Sequence, residues 1–342
     1  MASVRAAPIA MKASHENWMT GDCKAGLVSV IVPTYNRAGY LMECMKAVTD
    51  QSYRQWQVIV VDDGSTDNSC EVVQGFIKQY GSEQIIYQRQ ENAGPAAARN
   101  AGLAISRGEY IQYLDSDDWI HPRKLEVQVA QLQSDGDIGL SYCVTTRFTK
   151  RPMEPASPSA LTGCDLRTIL PHVLTSRIWH TLSPLWRRSA CVGIGPWRSF
   201  LHWEDWEYDC RAGCLGIRPI WCSETLCCVR DHVGARASKP DAMINEAVAA
   251  EATAESVLSC LKGAGMDGPG LTSPLANRLF TAARLFAMCG DEDGFWRCIQ
   301  RAQRVGGTLM FQARLRLVGS LSKVMGCHNA VKLAESVRKA CS

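Results

Sequence analysis

Asp115 and Asp117 form an Asp-x-Asp pair directly after an apolar run at residues 110–114. Carboxylate oxygens are ligands for Mg²⁺ or Mn²⁺, which commonly bind through one or two carboxylates plus phosphate oxygens. The pair therefore predicts a metal site that also holds a diphosphate. A capped turn at the end of a strand would use the same residue types and is the alternative.

A second acidic pair, Asp62 and Asp63, follows the apolar residues 58–61 and precedes Gly64. Carboxylates there can accept hydrogen bonds from a base N–H or a ribose hydroxyl, whereas they would repel a phosphate. The three residues after Gly64 could instead cap the next helix. The first apolar run is followed by no Gly-x-Gly-x-x-Gly, and no Walker motif occurs, so a dinucleotide cofactor is not expected.

The elements that must position these residues alternate between strand and helix. Residues 28–32 and 57–61 are β-branched runs typical of strands buried on both faces, and the spacing between them predicts a helix with Asn36 as its N-cap. Further helices are expected at 68–80 and from Pro95 to about Gly108, and further strands at 84–88 and 110–114. This alternation predicts an α/β fold, Rossmann-like, with a mostly parallel sheet and helices on both faces. The acidic strand ends would then meet at one edge, where such sheets bind ligands.

The composition divides the chain into three parts. Residues 1–26 are predicted to be a flexible arm and residues 27–240 the α/β domain, in which the pattern after residue 150 becomes irregular and rich in tryptophan. Residues 241–342 are predicted to form four or five helices, with breaks at 263–273 and 306–307. This last part holds 12 Lys and Arg against 9 Asp and Glu, which accounts for the whole net charge of +3 and does not indicate a nucleic-acid binder.

Arg297, Arg301 and Arg304 would share one helix face. That face is either a solvated basic surface or a surface for anionic lipid headgroups. Residues 1–26 lack the apolar segment of a secretory signal, and no apolar stretch is long enough to predict a transmembrane helix. The expected location is therefore the cytoplasm, with peripheral contact at the inner face of the membrane as an open alternative.

Four motifs, taken together and in this order, resemble glycosyltransferase family 2 of the GT-A fold. They occupy residues 28–36, 61–67, 92–100 and 113–118, and the resemblance extends over about 28–238. It implies an inverting enzyme that takes a sugar from a nucleotide-diphosphate donor, with UDP favoured, and that uses Mn²⁺ or Mg²⁺. It also implies a glycan, lipid-linked or small-molecule hydroxyl acceptor, in polysaccharide, glycolipid or glycoconjugate biosynthesis. One sugar per encounter is expected, because the sequence predicts no transmembrane helix and has no Gln-x-x-Arg-Trp segment of the processive type.

The same resemblance assigns donor residues by position. The base and ribose pocket corresponds to Pro33, Tyr35, Asp62 and Asp63, and Arg99 corresponds to the arginine that approaches the nucleotide. Of the Asp-x-Asp pair, Asp117 corresponds to the direct metal ligand. Asp115 would meet the ribose or the sugar and is the second metal candidate.

The segment 202–209 resembles the part of the family that carries the catalytic base, which would be Asp205 here. Acidic residues also suit a helix N-terminus, and both readings can hold. Trp203, Trp206 and Glu204 flank Asp205 and are candidates for acceptor contact, because aromatic faces stack on sugar rings. His232 resembles a histidine that can complete the metal or diphosphate site, although a structural histidine is equally compatible.

Two other functions remain open from the sequence. A sugar-nucleotide nucleotidyltransferase would share the alternating elements and the metal, but the chain lacks a Gly-rich basic loop for a triphosphate after the first strand. A non-catalytic module that binds sugar nucleotides or glycans would keep the fold without turnover.

Overall fold

The computed structural model describes residues 19, 22–149, 152, 157–231 and 240–340. Their strands form one eight-stranded sheet in the order β3-β2-β1-β4-β7-β6-β8-β5. The strands are β1 Lys24–Thr34, β2 Trp56–Asp62, β3 Ile85–Arg89, β4 Gly108–Tyr113, β5 Trp119–Ile120, β6 Ile138–Phe148, β7 Leu185–Arg187 and β8 Arg218–Arg230. The helices of the α/β part are α1 Ala38–Thr49, α2 Ser69–Tyr80, α3 Pro95–Ile105, α4 Lys124–Ser134, α5 His172–Thr175 and α6 Arg188–Ile194.

The first half of the sheet confirms the predicted alternation. Strand β1 pairs in parallel with β2 and β4, and β2 pairs in parallel with β3. Every residue of β2 is buried, as its continuous apolar run predicts for a strand covered on both faces. Because these strands run in parallel, the residues that follow β1, β2 and β4 lie at one edge of the sheet.

Two sequence-based details at the helix ends were wrong. The N-cap of α1 is Arg37, whereas Asn36 has φ 51° and uses its side chain to accept a hydrogen bond from Thr66 N at 2.8 Å. Helix α3 ends at Ile105, and Gly108 opens β4 instead of closing the helix. A Cβ at Gly108 would lie 2.5 Å from Ser29 N, so the close approach of β4 to β1 requires glycine there.

The sheet is mixed, because its second half adds antiparallel strands in the region that looked irregular. Strand β7 pairs antiparallel with β4 and β6, whereas β6 and β8 pair in parallel. Trp179 and Trp186 are buried in this half and contact each other edge to face, with ring centres 6.3 Å apart. These two tryptophans therefore belong to the core.

The described residues group into two compact units. One contains residues up to Ser199 together with Leu215–Val233, and the other contains Phe200–Cys214 and Gly234–Ser342. The second, the helical unit, consists of α7 Glu204–Cys214, α8 Pro240–Gly263, α9 Pro269–Met288, α10 Glu292–Val305, α11 Leu309–Met325 and α12 Cys327–Ala340. Its core consists mostly of alanines and phenylalanines, together with leucine, isoleucine, valine and cysteine side chains. The number of helices after α7 agrees with the expectation, and so does the break between α10 and α11. The break predicted at 263–273 is shorter, because α9 already begins at Pro269, and the domain boundary at 240 stays a prediction.

The basic face of α10 is engaged within the helical unit. Arg297 Nε lies 2.7 Å from a Glu251 oxygen, and Arg301 pairs with both Glu251 and Glu255 of α8. Two of the three arginines considered for lipid contact therefore have carboxylate partners in the fold. Among the described helices, none combines the length and apolarity needed to cross a membrane.

Candidate active site

A cavity of about 410 Å³ lies at the edge of the sheet where β1, β2 and β4 end. Its lining includes five of the residues assigned to the donor and the metal, namely Pro33, Tyr35, Asp63, Asp115 and Asp117. Tyr35 is 49% exposed, so its ring is accessible. The topology has thus brought together residues that are up to 84 positions apart in the chain.

Asp63 holds one wall of this cavity. Its buried carboxylate accepts hydrogen bonds from Gln90 Nε2 at 2.7 Å, Ala93 N at 2.9 Å and Gly94 N at 2.8 Å. These bonds fix the loop between β3 and α3 against the end of β2. A carboxylate has about four acceptor positions, so Asp63 keeps acceptor capacity beyond these three bonds.

The carboxylate of Asp62 has different hydrogen-bond partners from that of Asp63. Its carboxylate accepts from Ser65 N at 2.7 Å and from the Tyr87 hydroxyl at 2.5 Å, and the residue is 1% exposed. Burial, and then the hydrogen bond to Asp62, raise the pKa of Tyr87. Asp62 is not part of the cavity lining, so its assignment to the donor pocket stays a prediction.

The turn after β2 is tied to the start of α1. Asn36 N donates to Ser65 Oγ at 2.9 Å, and Ala38 N donates to Asp67 Oδ2 at 2.9 Å. Together with the bond from Thr66 N to Asn36, these contacts lock two strand-end loops to each other. The sequence motifs around Asn36 and Asp67 therefore shape the edge that carries Tyr35 and Asp63.

Each carboxylate of the Asp-x-Asp pair faces an arginine. Arg99 Nη2 lies 2.8 Å from Asp115 Oδ1, and Arg37 Nη1 lies 3.1 Å from Asp117 Oδ2. The guanidinium of Arg99 is buried and sits 4.7 Å from the centre of the Trp197 ring. Arg99 was expected near the nucleotide, whereas Arg37, which lines the cavity, was missed because nothing local in the sequence links it to Asp117.

Asp118 and Arg230 form hydrogen bonds that hold the segment after the Asp-x-Asp pair. Arg230 N donates to Asp118 Oδ1 at 2.9 Å, and Arg230 Nε donates to Asp117 O at 3.0 Å. The Arg230 guanidinium also lies over the rings of Tyr40 and Phe148. Burial, and then the neighbouring Asp115 and Asp117, raise the pKa of Asp118 well above its usual range.

The carboxylates of Asp115 and Asp117 fit a divalent cation that is also bound by phosphate oxygens. Within the described residues, no group of three or more His, Cys, Asp or Glu side chains could hold a metal ion by itself. Asp115 and Asp117 supply two carboxylates, and Mg²⁺ or Mn²⁺ commonly takes its remaining ligands from substrate phosphates and water. His232, the third predicted ligand, lies outside the described residues.

The predicted base and acceptor residues lie in the helical unit, at the start of α7. Asp205 and Glu204 occupy its first turn, and Trp203, just before it, has φ 71°. Farther along, Glu207 is fully buried and is bonded to Arg211 at 3.0 Å and to Ser256 at 2.6 Å. Glu207 therefore joins α7 to α8 and has a structural role, which differs from the roles predicted for Glu204 and Asp205.

Arg278 of α9 was not anticipated from the sequence. Its guanidinium lies 4.4 Å from the ring centre of Trp203 and 4.1 Å from that of Trp206, so part of each indole surface proposed for the acceptor packs on a cation. Burial lowers the pKa of Arg278 to about 10. Its Nε and Nη2 atoms are buried and have no hydrogen-bond partner within the part of the chain that the structure describes.

Comparisons with known proteins agree with this geometry. The family model for glycosyl transferase family 2 matches residues 29–182. Glycosyltransferase GlyG of Streptococcus pneumoniae is 40% identical over 113 residues, which are 33% of this chain and 37% of that protein. Glycosyltransferase GlyA of the same organism is 40% identical over 118 residues, 34% of this chain and 17% of that protein. The chain thus spans well under half the length of these curated relatives.

Solved structures extend the likeness in fold beyond the matched segment. S. aureus TarS 1-349 in complex with UDP-GlcNAc superposes with a TM-score of 0.70 at 20% identity, over 92% of each chain. The mannosyltransferase PcManGT from Pyrobaculum calidifontis, in complex with GDP-Man and Mn²⁺, gives 0.52 at 20% identity over 94% of this chain and 91% of that one. The predicted GT-A fold with a C-terminal helical region is confirmed by these likenesses. With the family model matched across β1 to β4 and the strand-end motifs gathered around one cavity, residues 29–182 are identified as a glycosyl transferase family 2 domain.

Proposed function

We propose that this chain is a metal-dependent, inverting glycosyltransferase that moves one sugar from a nucleoside-diphosphate donor to a hydroxyl group. The observation that carries the proposal is the cavity, which combines an exposed aromatic ring and an acceptor-rich wall with a pair of carboxylates, each of them paired with an arginine. This combination matches the parts of a nucleotide sugar, namely a flat base, sugar hydroxyls and a charged diphosphate.

The base and ribose would occupy the side of the cavity formed by Pro33, Tyr35 and Asp63. The Tyr35 ring can stack on a base, and Asp63 can accept a hydrogen bond from a base N–H or a ribose hydroxyl. We assign UDP as the preferred nucleotide, which the likeness to a structure holding UDP-GlcNAc supports, and GDP is the competing choice because another structural neighbour holds GDP-Man.

The diphosphate would lie beside the Asp-x-Asp pair. Asp117 would hold Mn²⁺ or Mg²⁺ directly, and Asp115 and His232 are the further candidate ligands. When bound, the cation offsets the negative charge that develops on the departing nucleoside diphosphate. Arg99 keeps Asp115 oriented through their 2.8 Å contact, and its stacking on Trp197 limits movement of the guanidinium.

Asp205 would act as the base. Inversion by a single displacement needs one group to take the proton of the acceptor hydroxyl while the nucleoside diphosphate leaves from the opposite face of the sugar. Asp205 sits in the first turn of α7, a position that suits acidic side chains because of the helix dipole. Trp203, Trp206 and Glu204 would contact the acceptor, which we place among the hydroxyl groups of glycans, glycolipids or related glycoconjugates.

A nucleotide-release assay tests the proposal. Purified protein would be incubated with UDP- and GDP-sugars, with Mn²⁺, Mg²⁺ or EDTA, and with or without hydroxyl acceptors, while released nucleoside diphosphate is measured. We expect metal-dependent release that Asp117→Ala and Asp205→Asn each reduce strongly. Full activity in both variants would refute the residue assignment, and pyrophosphate released from a nucleoside triphosphate would indicate a nucleotidyltransferase instead.

A further inference from the structure

Arg37 is the one cavity-lining arginine, among the described residues, that is both paired with the proposed metal ligand and accessible. Its Nη1 lies 3.1 Å from Asp117 Oδ2, and its side chain is 39% exposed. The guanidinium is 5.7 Å from the centre of the Tyr40 ring, at the outer limit for a cation–π contact. Arg37 is therefore an accessible guanidinium whose carboxylate partner is also the proposed metal ligand.

The contrast with Arg99 shows why the two arginines are not equivalent. Arg99 has a side chain that is 4% exposed, and it is stacked on Trp197 at 4.7 Å. Trp197 is in turn fixed by backbone hydrogen bonds with the Asn100 side chain at 2.7 and 2.8 Å. Arg99 is thus a buried counter-charge for Asp115, whereas Arg37 is a solvent-accessible counter-charge for Asp117.

The Asp117 carboxylate cannot pair fully with the Arg37 guanidinium and with a divalent ion at the same time. A divalent ion at its carboxylate would lie close to the Arg37 guanidinium, and the two positive charges would repel each other. A diphosphate in the same cavity offers the guanidinium a better partner, because arginine binds phosphate oxygens through paired hydrogen bonds.

We propose that Arg37 competes with the divalent cation for Asp117 in the donor-free protein and moves to a phosphate of the nucleotide when donor and cation bind together. The proposal rests on the function proposed above. Binding of the cation and of the nucleotide is then cooperative. The nucleotide phosphate takes Arg37 away from Asp117 and so favours the cation, while the cation displaces Arg37 from Asp117 and so favours the phosphate. By linkage, each ligand raises the affinity for the other by the same factor. Arg37 thereby disfavours loading of the cation before the donor.

Direct measurement of Mn²⁺ binding tests this without relying on turnover. Electron paramagnetic resonance of unbound Mn²⁺ would be titrated with wild type, Arg37→Gln, Asp117→Asn and Arg54→Gln, each with and without UDP. Arg54→Gln is the matched control, because Arg54 is an exposed arginine in the loop after α1 that does not line the cavity. Circular dichroism would verify that each variant is folded.

In the absence of UDP, we expect Arg37→Gln to bind Mn²⁺ about fivefold more tightly than wild type, the equivalent of removing a partly exposed ion pair. The factor by which UDP strengthens Mn²⁺ binding should fall by a similar amount in Arg37→Gln and stay unchanged in Arg54→Gln. Equal Mn²⁺ affinity in wild type and Arg37→Gln, or an equal gain in Arg54→Gln, would overturn the proposal.

The Asp117→Asn variant distinguishes a failure of the Arg37 competition from a failure of the proposed metal site. If Asp117→Asn loses Mn²⁺ binding while wild type and Arg37→Gln are alike, the competition by Arg37 is refuted and the metal site stands. If Asp117→Asn binds Mn²⁺ as wild type does, or if no protein binds Mn²⁺ even with UDP, the metal site itself is refuted and the competition with it.

Discussion

Asp63 has two roles at the end of β2, because it fixes the loop before α3 and also lines the cavity. The three hydrogen bonds that its carboxylate accepts come from one side chain and two backbone N–H groups. A charged acceptor buried among N–H donors contributes more than a neutral one. This wall of the cavity is therefore held by hydrogen bonds within the fold.

Asp63→Asn tests the contribution of this carboxylate to stability. The amide nitrogen would face one of the N–H donors, so we expect the free energy of unfolding to fall by about 1–3 kcal/mol. Chemical denaturation measures this, with Glu91→Gln as the matched control because Glu91 is an exposed carboxylate of the same loop. Equal stability of Asp63→Asn and wild type would contradict the role of Asp63 in holding the loop.

Asp118 makes stability depend on pH when no metal is bound. Its folded-state pKa is raised, by burial first, so its contribution to stability is fully present below the unfolded-state pKa and is lost as the pH rises toward the folded-state value. Asn at this position keeps an acceptor for Arg230 N and does not ionise. In EDTA, the melting temperature of Asp118→Asn relative to wild type should therefore increase from about pH 4 to neutral pH.

The control for this pH series is Asp22→Asn, because Asp22 is an exposed carboxylate. Its melting temperature should follow that of wild type across the whole pH range. A constant difference between Asp118→Asn and wild type at every pH would show that Asp118 does not change its ionisation on folding.

At single positions, the sequence could predict residues whose chemistry is local. The Asp-x-Asp pair and Asp63 could be found because acidic side chains directly follow apolar strands. Arg37 could not be connected to Asp117, and Asn36 was misassigned as an N-cap, because in both cases the partner lies far along the chain. Only the packing of the loops determines which partner such a side chain meets.

Among the secondary-structure elements, the parallel strands β1 to β4 were the predictable part. Their apolar runs are continuous because both faces are covered, and the helices between them show clear spacing. Strand β7 has only three residues, and β8 contains a polar segment where its register with β6 shifts, so neither produces a periodic pattern. The mixed character of the sheet therefore could not be predicted.

Helix α9 contributes an unexpected cation to the start of α7, and substitutions at Arg278 test its role. Arg278→Met keeps the contact with the indoles of Trp203 and Trp206 and removes two buried N–H groups that lack partners in the described part of the chain. We expect its stability to stay within about 1 kcal/mol of wild type. Arg278→Ala removes the packing as well and should lose about 1–2 kcal/mol.

Thermal denaturation compares the two Arg278 variants directly. The order wild type and Arg278→Met above Arg278→Ala is the expected result. If Arg278→Met is as unstable as Arg278→Ala, the charge of Arg278 has a stabilising partner, and its role is an ion pair and not packing.

For the whole molecule, the family match and the helical unit cover different parts of the chain. The match spans residues 29–182 and includes the cavity, whereas Asp205 belongs to the unit formed by Phe200–Cys214 and Gly234–Ser342. The proposed roles in donor binding and in proton removal therefore fall on residues that can be altered separately. A substitution of Asp117 should weaken donor binding, and a substitution of Asp205 should leave it intact.

Calorimetric titration of a UDP-sugar in the presence of Mn²⁺ tests the central claim most directly. Wild type and Asp205→Asn should bind the donor with equal affinity, while Asp117→Asn should bind it at least about tenfold more weakly, a loss of about 1.4 kcal/mol or more. Omission of Mn²⁺ should weaken binding to wild type and leave Asp117→Asn almost unchanged. Donor binding by Asp117→Asn with the affinity and Mn²⁺ dependence of wild type would contradict the claim that this carboxylate holds the cation at the donor diphosphate.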